Sequence, residues 1–191
     1  MRKEAPPAQQ GDRERKARFR QLFDMQYDYV YHALRRLGVH TRDLEDVAHE
    51  LFLEVYRRLD VLDPARSPRP WLFAFAFRFA SDYRRLSRHK GTLGVDEAAP
   101  SIEPSPEAMA LQREQVERAA RCLSTLSLEL RTVFLQYELD GTPMKDIAAA
   151  LDIPLATAYS RLRLAREAFA RAADVLARAD EQGPDKKGGA S

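Results

Sequence analysis

The chain has 191 residues, a formal net charge of +2 and 45% hydrophobic residues, a composition that is ordinary for a globular protein and excludes a low-complexity one. Its single cysteine, Cys122, cannot form an internal disulfide, and no apolar stretch reaches the roughly 18 residues of a membrane span. With no apolar core in residues 1–18 to act as a secretory signal, the sequence predicts a reduced, cytoplasmic protein without membrane insertion.

The first predicted element is a helix that follows a polar arm. Residues 1–12 are polar and contain two prolines, which predicts a disordered arm. From about Arg13 to Leu37, apolar side chains recur every three or four residues, the spacing of one buried helix face. Gly38 suits the C-terminal end of this helix, where glycine readily adopts a left-handed conformation. We expect the helix to open a first domain, residues 13–90.

The next predicted helix follows Thr41, which can cap it, and has an acidic outward face. Residues 43–54 hold five acidic side chains and neither lysine nor arginine. An apolar Leu53 on this charged face is typical of a contact with another protein. An isolated surface leucine, which is common in folded proteins, is the alternative. Four outward residues are candidates for a protein contact: Asp46, His49, Glu50 and Leu53.

Aromatic residues alternate with other side chains between Trp71 and Phe79, a spacing that is typical of a β-strand. We predict a helix instead, because Pro70 suits the first helical position and the segment continues through polar residues to Arg85. One face of this helix would be a core stripe of Trp71, Phe75, Phe79 and Leu86, and the other would carry Phe73, Phe77, Arg84 and Arg88. Rings and cations on one face suit single-stranded DNA, since bases stack on rings and phosphates bind cations. Packing of Phe73 and Phe77 under a neighbouring helix is the alternative.

The composition changes abruptly in residues 91–106, where glycine, proline, serine and acidic residues predict a flexible acidic linker between two domains. The second domain, residues 107–178, begins with a helix. A second helix is capped by Ser127 and ends at Asp140-Gly141. Residues 179–191 are predicted to be a disordered tail.

Two helices joined by a tight turn follow between Thr142 and Phe169. Thr142 is the predicted N-cap of the first helix, and Pro154 ends the turn because proline cannot continue a helix. The second helix has a predicted buried stripe of Leu155, Ala158, Leu162, Ala165 and Phe169. Its opposite face carries small, hydroxylic and cationic side chains, which suit a recognition helix that approaches base edges and phosphates. An ordinary amphipathic helix pair with the same stripe is the alternative.

Two motif sets in this order resemble bacterial RNA polymerase sigma factors of the extracytoplasmic-function group in the sigma-70 superfamily. The first set consists of the acidic segment from Asp43, Trp71-Leu72 and Arg84-Arg85. The second set follows the linker and consists of Leu126–Arg131 and the helix-turn-helix that contains Ser160-Arg161-Leu162. The resemblance covers roughly residues 15–172. It implies an all-α fold of two small helical domains, the C-terminal one with the helix-turn-helix, that serves as a dissociable specificity subunit of RNA polymerase.

The resemblance also assigns roles to individual residues. The acidic helix matches the one that docks on the clamp helices of the largest polymerase subunit, through Asp46, His49, Glu50 and Leu53. Residues matching the segment that binds and melts the −10 element are Trp71, Phe73, Phe77, Arg78, Arg84, Arg85 and Arg88. Residues matching the helix that reads the −35 element are Thr157, Tyr159, Ser160, Arg161, Arg163, Leu164 and Arg166.

Four residues depart from the family pattern. The family usually has glutamine in place of His49. It commonly has asparagine in place of Arg78, and an arginine at that position would stack on a base or bind phosphate. Leu164 replaces a residue that is often basic and would meet a thymine methyl group. Asp152 stands where a turn glycine is common, and aspartate tolerates the left-handed conformation at some strain.

The implied partners are the RNA polymerase core, promoter DNA bound at two sites, and an anti-sigma factor that is commonly membrane-bound. An enzyme is disfavoured, because the four histidines have no metal-ligand spacing and no nucleophile motif or phosphate-binding glycine loop occurs. No cofactor or metal is therefore expected. The alternative is a sigma-like protein that only sequesters a regulator or polymerase without initiating transcription. A standalone helix-turn-helix repressor would leave residues 43–85 unexplained.

Overall fold

The computed structural model describes residues 7–89 and 106–181, which fall into two compact units. Within these ranges there are seven α-helices and no β-strand. The first unit contains α1 (Pro7–Arg36), α2 (Leu44–Arg57) and α3 (Arg69–His89), and the second contains α4 (Pro106–Ser124), α5 (Leu128–Phe134), α6 (Met144–Leu151) and α7 (Leu155–Glu181). The predicted all-α fold with two domains is confirmed.

The predicted linker lies outside the described residues, except for Pro106, which opens α4. The predicted tail is wrong for its first three residues, because α7 continues to Glu181. The rest of the tail, residues 182–191, also lies outside the described part of the chain.

The core of the first unit lies where α1, α2 and α3 pack on one another. Its largest fully buried side chains include Leu34, Leu37, Leu44, Leu51, Leu72, Phe73 and Phe75. The helical prediction for α3 is confirmed despite its alternating aromatic residues. Residues 72–76 are all buried, which explains the alternation, because a helix covered on every side is apolar on every side.

Two side chains of α3 lie opposite to their predicted faces. The ring of Phe73 is only 1% exposed, and its centroid lies 6.4 Å from that of Tyr29 on α1, so the prediction of an exposed Phe73 is wrong. Leu86 was predicted in the core stripe but is 58% exposed. Both errors have one cause: α1 and α2 together cover the first half of α3, whereas residues 81–86 have left the core.

The N-terminal helix starts earlier than predicted. α1 begins at Pro7, so the prediction of disorder is wrong for residues 7–12, while residues 1–6 lie outside the description. The N-terminal end of α1 is held by long charged side chains and not by an apolar stripe. Lys16 pairs with Asp12 at 2.7 Å one turn away, and a guanidinium nitrogen (Nη2) of Arg15 donates to the carbonyl of Tyr56 at 2.9 Å.

Gly38 ends α1 as predicted. Its φ of 97° is left-handed, and its N–H donates to the carbonyl of Arg35 at 2.9 Å, which satisfies a carbonyl of the last turn. The predicted cap by Thr41 is wrong. A short 3-10 turn, Thr41–Asp43, precedes α2, and its cap is Nδ1 of His40, which accepts a hydrogen bond from the N–H of Arg42.

The second unit contains a core to which α5, α6 and α7 contribute Val133, Met144, Ile147, Ala148, Ala158 and Leu162. Ser127 caps α5 as predicted, because its hydroxyl oxygen accepts a hydrogen bond from the N–H of Leu130. After α5 the chain widens into a π-helical turn, Leu135–Leu139. There the N–H of Asp140 donates to the carbonyl of Leu135 at 3.2 Å, a bond that spans five residues.

The predicted helix-turn-helix is formed by α6, the turn at Asp152 and α7. Asp152 has a φ of 53° and therefore adopts the left-handed conformation that the sequence predicted. Its N–H donates to the carbonyl of Ala149, and the N–H of Ile153 donates to that of Ala148 at 3.0 Å. Ile153 also packs on the core. These contacts close the turn without a glycine.

Two details of this motif were predicted wrongly. Thr142 is buried and is not the cap of α6, whose N-cap is Pro143 with no side-chain hydrogen bond. The N–H of Thr142 instead donates to the carbonyl of Gln136 at 2.9 Å, which joins the π-helical turn to the start of α6. Leu155 is exposed rather than buried, because it is the first residue of α7 and burial begins with Ala158.

Candidate polymerase and nucleic-acid interfaces

The outward face of α2 presents the four residues that the sequence suggested for a protein contact. Asp46, His49 and Glu50 are exposed, and Leu53 is 60% exposed. They point outward because the opposite side of the helix buries Leu44, Ala48, Leu51, Phe52 and Val55. An exposed leucine between carboxylates offers an apolar anchor that a partner can desolvate. We call these four residues the acidic docking face.

A ring from α1 packs beside this face, and an ion-pair cluster follows it at the end of α2. The ring of Tyr27 on α1 lies 6.4 Å from that of His49, so α1 supports the histidine from the side. At the end of α2, Glu54 accepts hydrogen bonds from Arg58 at 2.6 Å and from Arg57 at 3.3 Å. These bonds, that from Arg58 first, lower the pKa of the Glu54 carboxyl and keep it ionised.

A mixed aromatic and cationic surface runs along α3. The guanidinium carbon of the exposed Arg78 lies 4.4 Å from the ring centroid of Phe75, within the range of a cation–π contact. The ring of Trp71 packs edge-on against Phe75, with centroids 4.7 Å apart. Trp71 and Phe77 are half-buried, so each retains some ring surface towards solvent. This surface can offer both stacking and positive charge.

The remaining residues suggested for single-stranded DNA are less uniform. The burial of Phe73 removes it from the surface of α3. Arg84 is half-buried, and the exposed Arg85 pairs with Asp82 at 3.2 Å. Arg88 belongs to α3, but its side chain lies outside the described part of the structure. Trp71, Phe77, Arg78, Arg84 and Arg85 therefore remain accessible at least in part.

A hydrogen bond between α3 and the turn before α2 orients this surface. The hydroxyl of Tyr83 donates to a carboxylate oxygen (Oδ2) of Asp43 at 2.6 Å. This bond, followed by those from Arg42, lowers the pKa of the Asp43 carboxyl. It connects the start of α2, which carries the acidic docking face, to the part of α3 that carries the arginines.

The outward face of α7 exposes most of the residues suggested for a duplex contact. Tyr159 is 54% exposed and Leu164 is 41% exposed, and Ser160, Arg163 and Arg166 are exposed as well. Thr157 and Arg161 are half-buried at the edges of this face. The buried residues of the same helix, Ala158, Leu162 and Ala165, face the core. Two small alanines among these three let α7 pack closely, while its polar face stays free of the core.

Two arginines of this face are held by carboxylates. Nη1 of Arg163 donates to Oε1 of Glu167 at 2.6 Å, a pair within one turn of α7. Nε and Nη2 of Arg166 lie 2.7 and 2.6 Å from Oε1 of Glu138 in the π-helical turn. The guanidinium carbon of Arg166 also lies 5.5 Å from the ring centroid of Tyr137.

Sequence reasoning missed Tyr137 and Glu138. Glu138 precedes Arg166 by 28 residues, so no local spacing relates the two. The π-helical turn that brings Glu138 to α7 also has no sequence signature comparable to a cap or a turn glycine. Only the packing of α5 against α7 reveals this pair.

Family models match both units of the chain. The model for sigma-70 region 2 matches residues 22–90, and the model for sigma-70 region 4 matches residues 117–169. This chain belongs to the sigma-70 family. The acidic docking face and α3 fall in the region 2 match, and the helix-turn-helix falls in the region 4 match. The predicted order of the two motif sets is thereby confirmed.

Curated relatives place this sigma factor in the extracytoplasmic-function group. It is 29% identical over 158 residues to the ECF RNA polymerase sigma-E factor of Escherichia coli (strain K12), a match that covers 78% of this chain and 83% of that protein. It is 34% identical over 134 residues to the probable RNA polymerase sigma factor RfaY of Xanthomonas campestris, covering 66% of this chain. That match spans only 34% of the length of the RfaY protein.

Solved structures share the fold of this sigma factor. CnrH in complex with the cytosolic domain of CnrY matches with a TM-score of 0.60 and 23% identity, over 84% of this chain and 90% of that one. The sigma factor RpoE of Bartonella quintana, in complex with the anti-sigma factor NepR, matches with a TM-score of 0.62 and 19% identity. That second match covers 82% of this chain and 97% of the other.

Neither a membrane-spanning helix nor a metal-binding group of side chains is found in the described part of the chain. No helix within residues 7–89 and 106–181 is long and apolar enough to cross a membrane. In the same ranges, no three histidine, cysteine, aspartate or glutamate side chains are grouped so that they could hold a metal ion.

Proposed function

We propose that this chain binds the RNA polymerase core and directs it to promoters, as an alternative sigma factor. One observation carries the proposal: an acidic face with an exposed leucine and an aromatic, cationic face occur in the unit that matches region 2, and a cationic recognition helix occurs in the unit that matches region 4. These three surfaces suit a basic protein partner, unstacked bases and duplex DNA respectively.

The acidic docking face binds the clamp helices of the largest polymerase subunit. Asp46 and Glu50 supply charge that steers association with a basic surface, and Leu53 supplies apolar area that charge alone lacks. His49 stands where the family usually has glutamine, and its imidazole can form a hydrogen bond in place of the amide.

The surface of α3 captures the melted −10 element. Extruded bases stack on ring surface at Trp71 and Phe77, and Arg78, Arg84, Arg85 and Arg88 bind the backbone phosphates. Trapping an unstacked base offsets part of the cost of melting, which is a few kcal/mol for a flipped base. Arg78 contributes phosphate binding or stacking where the family commonly has asparagine.

The recognition helix α7 reads the −35 element in the major groove. Tyr159, Ser160, Arg163 and Leu164 contact base edges, with Leu164 suited to a thymine methyl group. Thr157, Arg161 and Arg166 position the helix through the phosphates. With both units engaged, the chain fixes the polymerase at two sites about two helical turns apart.

We further infer that the chain acts in the cytoplasm with the polymerase, performs no catalysis itself, and is regulated by an anti-sigma factor. The support for regulation is that the fold is shared with CnrH and RpoE, two proteins solved in complex with CnrY and NepR.

Transcription in vitro tests the proposed function. Bacterial core polymerase would be incubated with a pooled promoter library, with and without this chain, and the transcripts sequenced. New transcripts that share two upstream motifs at a fixed spacing are expected. Core binding without new transcripts would favour the second candidate, a protein that sequesters the polymerase or a regulator. Absence of both binding and transcripts would overturn the proposal.

A further inference from the structure

The contact between Glu138 and Arg166 differs from the other ion pair on the recognition helix. Arg163 and Glu167 lie one turn apart on α7, with side chains 64% and 45% exposed, which is an ordinary surface pair. Arg166 instead reaches a carboxylate on another element and donates to it through two nitrogens. Its side chain also lies beside a ring that packs against the core.

The π-helical turn makes this arrangement possible. Its hydrogen bond from the N–H of Asp140 to the carbonyl of Leu135 encloses one more residue than an α-helical bond, so Tyr137 and Glu138 lie within a widened turn. The bond from Thr142 to the carbonyl of Gln136 then fastens the turn to the start of α6. Tyr137 and Glu138 thus belong to a segment that a backbone hydrogen bond joins to the start of the helix-turn-helix. Such turns occur frequently at functional sites.

We propose that Glu138 is a specificity-determining residue of the recognition helix, because it holds Arg166 against Tyr137 in an orientation that suits only a correctly placed phosphate. The inference rests on the proposed function of α7. A free arginine would bind any phosphate within reach, and such contacts supply non-specific affinity. A paired arginine has its charge locally neutralised, so a duplex in the wrong register gains little from it.

In the specific complex, the same pair helps binding. Arg166 has five N–H donors and uses only its Nε and Nη2 groups on Glu138, so the other edge of the guanidinium can still donate to a phosphate. Because its side chain is already fixed, Arg166 loses less conformational entropy on binding than a free arginine would. Glu138 therefore lowers non-specific affinity while it preserves specific affinity.

The test compares the full chain, reconstituted with core polymerase, with its E138Q variant. The probes are a duplex selected by the wild-type holoenzyme from the promoter library and a scrambled duplex of equal length, each titrated over a range of salt concentrations. The ratio of selected to scrambled affinity is expected to fall by about threefold or more in E138Q. The salt slope on scrambled DNA should steepen by about one, for one additional phosphate contact.

Two further variants separate this role from others. D174N removes one negative charge on α7, away from Arg166, and should leave the affinity ratio unchanged. An equal fall of the ratio in D174N would show that only net charge matters and would overturn the inference. In an R166A background, E138Q should have no effect on the ratio, and a persisting effect would also overturn it. An unchanged ratio in E138Q overturns this inference alone. A wild-type holoenzyme that does not prefer the selected duplex would overturn the proposed function together with it.

Discussion

The two surfaces proposed to contact DNA differ in how they hold Arg78 on α3 and Arg163 and Arg166 on α7. The guanidinium of Arg78 lies over the ring of Phe75, whereas its neighbour Arg85 pairs with Asp82. In α7, Arg163 and Arg166 are each paired with a carboxylate. A surface that traps unstacked strands benefits from a cation next to rings, because bases stack on the rings and phosphates bind the cation. A helix that chooses one duplex site benefits from arginines that are held in one orientation, because only the correct register then places a phosphate or a base edge within their reach.

The largest expected effect is a loss of stability that distinguishes the buried Phe73 from the half-buried Phe77 in α3. Phe73→Ala should lower the free energy of unfolding of the first unit by about 3–5 kcal/mol, because it empties a fully buried site. The half-buried Phe77 is the matched control, and Phe77→Ala should destabilise the unit less while it impairs promoter opening. Guanidinium denaturation followed by circular dichroism measures the first effect. A Phe73→Ala variant that is stable but fails to open promoters would show that Phe73 contacts DNA instead of stabilising the core.

The next effect concerns the acidic docking face. Replacing both Glu50 and Leu53 with lysine should weaken core polymerase binding by at least about 2 kcal/mol, because it removes the apolar anchor and reverses a charge. Val61 is 74% exposed in the same unit but outside the face, so Val61→Lys is a matched control. Fluorescence titration with core polymerase gives both affinities. Equal affinity of the double variant and the control would remove α2 from the polymerase interface.

A smaller effect tests whether α7 reads bases. Arg163→Ala should reduce binding to the preferred −35 element by about 1–3 kcal/mol if the guanidinium contacts a base edge. Arg178 is exposed near the far end of the same helix, so Arg178→Ala is the control for the loss of one positive charge. Promoters that differ at single −35 positions would be compared. Equal losses on all of them would make Arg163 a phosphate contact instead.

The smallest effect concerns the bond that connects α3 to the turn before α2. Because the pKa of Asp43 is lowered in the folded state, this carboxylate stabilises the first unit above its ordinary pKa of 3.8 and ceases to do so as the pH falls through the lowered value. Tyr83→Phe removes the main cause and should cost about 1 kcal/mol at pH 7. The difference from wild type should vanish at low pH. A difference that persists there would assign the loss to packing of the hydroxyl.

Local rules were enough to predict most of the fold. Gly38 and Asp152 mark chain reversals through their left-handed backbone, and Pro70 near the start of α3 favours a helix over the strand that the aromatic spacing suggested. The burial of Phe73 could not be predicted, because it depends on two other helices that cover α3 from different sides. The pair between Glu138 and Arg166 was equally hidden, since a π-helical turn and 28 intervening residues separate its members.

The central claim is that α3 and α7 recognise different promoter elements, and one measurement tests it most directly. Transcripts would be selected in vitro from a library randomised separately in the two elements, with core polymerase and either wild-type chain, Arg78→Ala or Arg163→Ala. We predict that Arg78→Ala changes only the downstream motif and Arg163→Ala changes only the upstream one. Variants that alter the same motif, or exchange these effects, would contradict the account.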